Sequence, residues 1–221
     1  MFGAANLRDL KKIQKLVMLV KETDTTLSFP CMGPLKNMVV ASFADAAFGN
    51  LPDKDPEKDK VYSSLGQIVC LLGKDDKCTM VDWSSNKAKR VVRSPLAAEL
   101  MPANDAVDSG VLIRYIVEQI GQVGSKTIPL VVTSDSKSLD QAARTTSALE
   151  DKKLRIALAE LREGLEENEF ELWWKAGKLQ PADVLTKDAS SEIVKKIREG
   201  VYSPAIGRVQ VSIFRFTKKN I

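Results

Sequence analysis

Three β-rich stretches follow one another between residues 37 and 83, and the links between them are short. The first is Asn37-Met38-Val39-Val40-Ala41-Ser42-Phe43-Ala44-Asp45, the second covers residues 61–72, and the third runs from Lys77 to Trp83. All three are rich in the β-branched and apolar residues that suit a pleated, half-buried surface. Gly73-Lys74-Asp75-Asp76 makes a tight turn between the last two, and a charged, proline-bearing loop at residues 49–60 joins the first two. A parallel pair needs a crossover of about a dozen residues or more, so such links favour an antiparallel meander.

After residue 83 the pattern changes to strand–helix alternation. Ser94-Pro95 starts a helix, with a serine cap and a proline at the first helical position, and this helix is expected to reach about Val123. Ile128 to Thr133 is a short apolar strand, Ser136 to about Ala148 a helix, and residues 151–167 a second helix with Leu154, Leu158, Leu161 and Leu165 on one side. Phe170 to Trp174 is the fifth strand and Ser190 to Glu199 the last helix. The fold class is α/β: a five-stranded mixed sheet, three antiparallel strands then parallel ones, flanked by helices. Upstream, residues 6–22 form an amphipathic helix through Leu7, Leu10, Ile13, Val17 and Val20, closed off by Phe29-Pro30-Cys31-Met32-Gly33-Pro34. The expected division is a helical extension at 1–34, the main domain at 35–203 and a tail at 204–221, in which Val209 to Ile221 pairs as an extra strand or is disordered.

Composition excludes several chemistries. The chain of 221 residues contains no histidine, which removes Ser-His-Asp and Cys-His nucleophilic machinery and histidine metal sites together. Cys31, Cys70 and Cys78 have neither the number nor the spacing of a disulfide framework or a zinc site. Cys70 reads as a buried thiol in a strand, and a reducing, cytoplasmic setting is the expectation. No apolar run approaches a membrane span, so no membrane partner is expected. A net charge of +4 is compatible with a nucleic-acid partner without demanding one. Hydrolytic chemistry in this chain must rest on carboxylates, lysines or a metal.

Four acids stand out by their settings. They are Asp45 in Phe43-Ala44-Asp45-Ala46, Glu99 in Ala97-Ala98-Glu99-Leu100, Asp135 in Thr133-Ser134-Asp135-Ser136, and Asp183 in Pro181-Ala182-Asp183-Val184. A carboxylate in or at the end of an apolar run is costly unless its charge is compensated. Each has a plain structural alternative: Asp183 as a helix cap, Asp135 in a strand-to-helix turn, Glu99 as a first-turn acid favoured by the helix dipole. Taken together they fit hard divalent cations, because ligands in α/β sheets gather where strand ends open into a crevice. A pair of magnesium ions roughly 4 Å apart would offset the mutual repulsion and support an in-line phosphodiester displacement.

Five ordered motifs add to this: Ala44-Asp45-Ala46-Ala47-Phe48-Gly49-Asn50, Val81-Asp82-Trp83-Ser84-Ser85-Asn86-Lys87, Arg93-Ser94-Pro95-Leu96-Ala97-Ala98-Glu99, Thr133-Ser134-Asp135-Ser136-Lys137-Ser138 and Ala182-Asp183-Val184-Leu185-Thr186-Lys187. In this order they resemble the ribonuclease H domain of copia-type retrotransposon polyproteins, over about residues 37–200. The resemblance implies a ribonuclease H fold and hydrolysis of the RNA strand of RNA–DNA hybrids during reverse transcription, leaving a 5′-phosphate and a 3′-hydroxyl. It implies two magnesium ions, with manganese substituting. Asp45 would bridge both, Glu99 and Asp135 would hold one and Asp183 the other. A reverse transcriptase domain of the same polyprotein is the implied partner, with virus-like particles a possible setting. Many cellular relatives carry a histidine before the last acid, whereas Ala176 to Pro181 has none.

Lys87, Lys89, Arg90 and Arg93 are candidates for phosphate contacts, with a solvated linker as the alternative. Asn50, Ser84, Ser85 and Ser136 are candidates for 2′-hydroxyl contacts. Trp83, Trp173 and Trp174 read as core more readily than as stacking platforms, with one of the last two partly exposed or covered by a helix. Pro102, three residues past Glu99, is expected to kink its helix and swing that carboxylate. A silent, domesticated module of the same fold is therefore the alternative to an active nuclease.

Overall fold

The computed structural model describes residues 7–22, 26–53, 60–145, 151–187 and 192–202. The expected tail strand and the opening Met1-Phe2-Gly3 lie outside them. In chain order the elements are α1 (Leu7–Glu22), β1 (Val39–Pro52), β2 (Val61–Leu72), β3 (Cys78–Lys87), α2 (Pro95–Ile120), β4 (Leu130–Ser134), α3 (Lys137–Arg144), α4 (Lys152–Glu166), β5 (Glu171–Trp174), α5 (Asp183–Thr186) and α6 (Glu192–Arg198). Two short 3₁₀ turns, Leu35–Asn37 and Gly177–Leu179, precede β1 and α5.

The sheet has five strands in the order β3-β2-β1-β4-β5. β1 and β2 pair antiparallel, as do β2 and β3, while β1–β4 and β4–β5 are parallel. This is the mixed, five-stranded, helix-flanked architecture expected from the sequence. The meander falls where short links demand it, and the parallel strands fall where helices supply the crossovers.

Alternation along β1 separates two cores. Val40 and Ala44 face α2, α3 and α4 with Val69, Leu100, Leu130, Val132, Leu139 and Leu158. Ala41 and Phe43 face the other side, with Ile68, Cys70, Ala182, Ile197 and Tyr202. Asp45 shares the parity of Ala41 and Phe43, so its side chain belongs to the α5 face. Cys70 is buried as expected.

Several boundaries differ from the sequence expectation. β1 does not stop at Asp45 but runs to Pro52, because Leu51 and Pro52 pair with Tyr62 and Val61 beyond a register break. Gly49 sits in that break with φ of 60°, a conformation glycine adopts without a Cβ penalty. β3 runs past Trp83 to Lys87, so Ser84, Ser85 and Lys87 are strand residues and not part of a basic link. Trp83 is 54% exposed on this edge strand, against the expectation of core. Phe170, just before β5, and Leu172 within it are buried, whereas Trp174, at the strand's end, is 41% exposed. α3 ends at Arg144, and residues 146–150 lie outside the described set.

Pro102 does not break α2, which is continuous from Pro95 to Ile120 with the proline buried inside it. The lost amide donor is absorbed within a long helix held on the sheet by Leu100, Ala103 and Ala106. No helix among the described residues is long and apolar enough to cross a membrane.

Candidate metal and active site

Asp45, Glu99 and Asp135 meet where β4 ends and β1 continues. One carboxylate oxygen from each lies within 4.8 Å of the others. The parallel pairing Phe43↔Thr133 places the two strands so that the acids two residues beyond this pair stand side by side. Glu99 arrives from the second turn of α2, whose entry is fixed by the Ser94 hydroxyl accepting the Ala97 amide at 3.2 Å.

The electrostatics of this trio are unfavourable without a cation. Asp45 is 1% exposed. Burial pushes its carboxyl up, while the Thr186 hydroxyl and the Lys187 ammonium pull it down. Burial, then Asp45 and Asp135, push Glu99 up to about 8. Asp135 is likewise raised, first by burial, with Lys187 opposing. Glu99 Oε2 is buried with no hydrogen-bond partner among the described residues. An orphaned carboxylate oxygen beside two other carboxylates is the donor set a hard divalent cation requires. The residues present therefore fit magnesium or manganese, which the resemblance implies.

Asp183 stands apart from this trio. It opens α5 and pairs with the ammonium of Lys187, one turn along, which also lies 3.8 Å from Asp45 Oδ2. Thr186 donates its hydroxyl to Asp45 Oδ2. α5 thus delivers Asp183, Thr186 and Lys187 against the β1 acid. It comes this close because Gly66 faces Asp45 across β1–β2. A Cβ at Gly66 would lie 2.8 Å from Leu185 Cβ and 2.9 Å from Thr186 Cγ2.

Two of the residues expected to read 2′-hydroxyls make hydrogen bonds to α5. Asn50 donates to the Thr186 carbonyl at 3.2 Å and accepts from the Ser64 amide and hydroxyl, each at 3.0 Å. Ser85 donates to the Leu185 carbonyl at 2.6 Å. Ser136 caps α3 by accepting the Leu139 amide at 3.2 Å. Ser84 lies on β3 opposite Gln67, partly exposed. Lys87 stacks its ammonium 3.7 Å over the Tyr62 ring. Lys89, Arg90 and Arg93 are exposed between β3 and α2. Arg90 and Arg93 line a cleft of about 620 Å³ together with Lys152 and Lys153 of α4.

Sequence reasoning missed three supports. The buried Gln180 side-chain amide donates to the Ala44 carbonyl at 2.8 Å and the Thr133 carbonyl at 3.1 Å, tying β1 to β4 just before their acids. Nothing periodic marks it, since it lies in a connecting loop. Gly177 packs against Asp135, where a Cβ would lie 2.8 Å from Oδ2. Trp174 donates its indole N–H to the Asp135 carbonyl at 2.8 Å, with the Lys137 ammonium 4.9 Å from its ring centre. Thr186 and Lys187 were inside the motif around Asp183, which carried the signal for them.

No protein-family model matches the chain, and no curated protein sequence matches it. Among solved structures it is similar to LC11-RNase H1, isolated from compost by a metagenomic approach, at 13% identity and a TM-score of 0.47, covering 70% of this chain and 95% of that one. The same protein in complex with an RNA/DNA hybrid gives 12% identity and a TM-score of 0.46, over 69% and 95% of the two chains. The N-terminal ribonuclease H domain of a Mycobacterium tuberculosis protein, solved as a fusion with maltose-binding protein, gives 20% identity and a TM-score of 0.45, over 69% and 93%.

Proposed function

We propose that this chain is a divalent-metal-dependent endonuclease that hydrolyses the RNA strand of RNA–DNA hybrids, of the copia-type retrotransposon kind. The observation that carries the reading is the meeting of Asp45, Glu99 and Asp135 with the Glu99 Oε2 atom left without a partner. Asp45, Glu99 and Asp135 would hold magnesium or manganese, with Asp183 beside them. A cation held there supplies acidification of a water molecule and stabilisation of charge on a phosphate.

The chain's own residues orient and screen. Gln180 fixes the separation of the strands that carry Asp45 and Asp135. Thr186 fixes the rotamer of Asp45 by donating to Oδ2. The basic run Lys89, Arg90 and Arg93 flanks the N-terminus of α2 and offers charge to phosphates, which would give salt-dependent binding. Asn50, Ser84, Ser85 and Ser136 are the candidates for 2′-hydroxyl contacts, with Asn50 and Ser85 also tied to α5. Reverse transcription by a polymerase domain of the same polyprotein would supply the hybrid.

The test is incubation of the folded protein with end-labelled RNA–DNA hybrid, duplex RNA and duplex DNA, with magnesium or manganese. Cutting confined to the RNA strand of the hybrid, leaving 5′-phosphate ends, is the expected result. Absence of cutting by folded protein at high concentration would overturn the reading in favour of a silent module. Preferential cutting of DNA would point to a different nuclease activity on this fold.

A further inference from the structure

Two helix faces in this chain present apolar side chains to solvent, and they match. On α1, Leu10, Ile13, Val17 and Met18 are exposed, Leu10 by 61%. No described residue of α1 belongs to an apolar core. On α2, Leu112, Tyr115, Ile116 and Ile120 are exposed, Ile120 by 78%. Spacings of three and four residues gather each set into one stripe. The stripes from Leu10 to Met18 and from Leu112 to Ile120 are equally long, about 12 Å each. Contiguous exposed apolar side chains of this kind mark an interaction surface. Charge fixes the orientation. Lys21 extends the α1 stripe one turn beyond Val17, while Asp108 and Asp105 extend the α2 stripe before Leu112, and all three are exposed. Antiparallel packing sets Leu10 against Ile120, Ile13 against Ile116 and Lys21 against Asp108. Parallel packing would carry Lys21 past the end of α2, away from both acids.

We propose that α1 of one molecule packs antiparallel on α2 of a second copy of this chain, and that the exchange is reciprocal. A two-fold axis then makes the same contact twice. Docking within one chain is opposed by the tether. The Ser28 amide donates to the Arg198 carbonyl at 2.8 Å, which fixes the chain after α1 beside α6. That anchor lies on the sheet face opposite α2, at the end where the Cys78 amide donates to the Gly200 carbonyl at 3.0 Å and Cys78 pairs with Leu72. Asp108 sits well away from that end. Its neighbour Ser109 accepts from the side-chain amide of Gln67 on β2 at 2.9 Å. Gln67 is about 17 Å along the strand from Leu72. The chain from Glu22 to Ser28 spans at most about 22 Å when fully extended. It is too short to round the sheet edge, cover that offset and clear the helix diameter of about 10–12 Å. A second copy meets no such limit. The contact involves neither the metal site nor the nuclease reading, and it stands or falls without them.

Sedimentation velocity of the full 221-residue chain, without metal or nucleic acid and across a micromolar concentration series, tests this. The wild type should sediment as a dimer that dissociates on dilution. Ile13→Lys on α1 and Ile116→Glu on α2 should each give monomer throughout, because each buries an unpaired charge in both contacts. An equimolar mixture of these two variants should recover dimer, since it forms one unaltered contact and one in which opposite charges face each other. Lys21→Glu should weaken the dimer by about tenfold or more, by setting like charge beside Asp108. Adding Asp108→Lys in the same chain should restore it. Thermal unfolding of each variant establishes that it is folded. A wild type that is monomeric throughout, as a docking within one chain or a different partner would require, overturns the proposal. So does a dimer that either isoleucine variant leaves intact, or a pair of variants that fails to recover on mixing. Lys21→Glu without effect would overturn the antiparallel register.

Discussion

Asp45 and Glu99 present carboxylate oxygens within 4.8 Å of one another, yet they are served very differently. Asp45 Oδ2 accepts the Thr186 hydroxyl, whereas Glu99 Oε2 is buried with no partner among the described residues. A cation bound beside Glu99 would compensate this oxygen, and without one the strain on the carboxyl should be visible in the pH dependence of stability.

The metal-free protein should lose stability as pH rises from about 4.5 to about 8. Glu99 has an ordinary value of 4.5 and is pushed up to about 8, first by burial and then by Asp45 and Asp135. Across that window the unfolded chain has released this proton and the folded chain still holds it. The contribution present below 4.5 is therefore lost progressively, at no more than about 1.4 kcal/mol per pH unit for this group. Asp45 and Asp135 are shifted in the same direction. Denaturant titrations at several pH values in a chelator should show the decline. Glu99→Gln should flatten it, and magnesium should oppose it by favouring the ionised carboxylates.

Gly177→Ala should weaken metal binding more than it weakens the fold. The new Cβ would lie 2.8 Å from Asp135 Oδ2, a contact relieved most directly by turning the carboxylate away. Parallel Mn2+ titration and thermal unfolding would separate the two effects. A large loss of stability with unchanged ion affinity would contradict this account.

Gln180→Leu should destabilise the protein by about 1–3 kcal/mol, because two carbonyls at the β1–β4 seam lose a buried donor. Cleavage should fall as well, since Asp45 and Asp135 follow those carbonyls in the chain. Chemical denaturation and hybrid cleavage on the same preparation would check both.

Asn50→Ala separates a structural tie from a substrate contact. Its amide donates to α5 and its oxygen accepts twice from Ser64. The expected outcome is a stability loss of about 1–2 kcal/mol, with hybrid affinity at fixed salt little changed. A large loss of affinity in a protein of unchanged stability would instead support the substrate-reading role.

The strand order was legible because link length decides pairing direction: Gly73 to Asp76 cannot carry a crossover, and α2 can. Asp45 and Asp135 were legible because each follows an apolar, β-rich run, although Asp45 proves to lie inside β1. Less legible was everything that depends on register. Whether Asp45 ends β1 or sits inside it turned on a break at Gly49 that no alternation pattern marks. The engagement of Asn50 and Ser85 follows from where α5 lands on Gly66, a distance set by tertiary packing. Pro102 lies inside α2, which continues through it with Leu100, Ala103 and Ala106 packed on the sheet.

The central claim is that Asp45 belongs to a metal-dependent site that cuts RNA in a hybrid. The most direct test is RNA-strand cleavage by wild type and Asp45→Asn side by side, in magnesium and in chelator. The account predicts cutting by the wild type in magnesium alone, with the variant at background although folded. Cutting that survives in Asp45→Asn, or that persists in chelator, would contradict it.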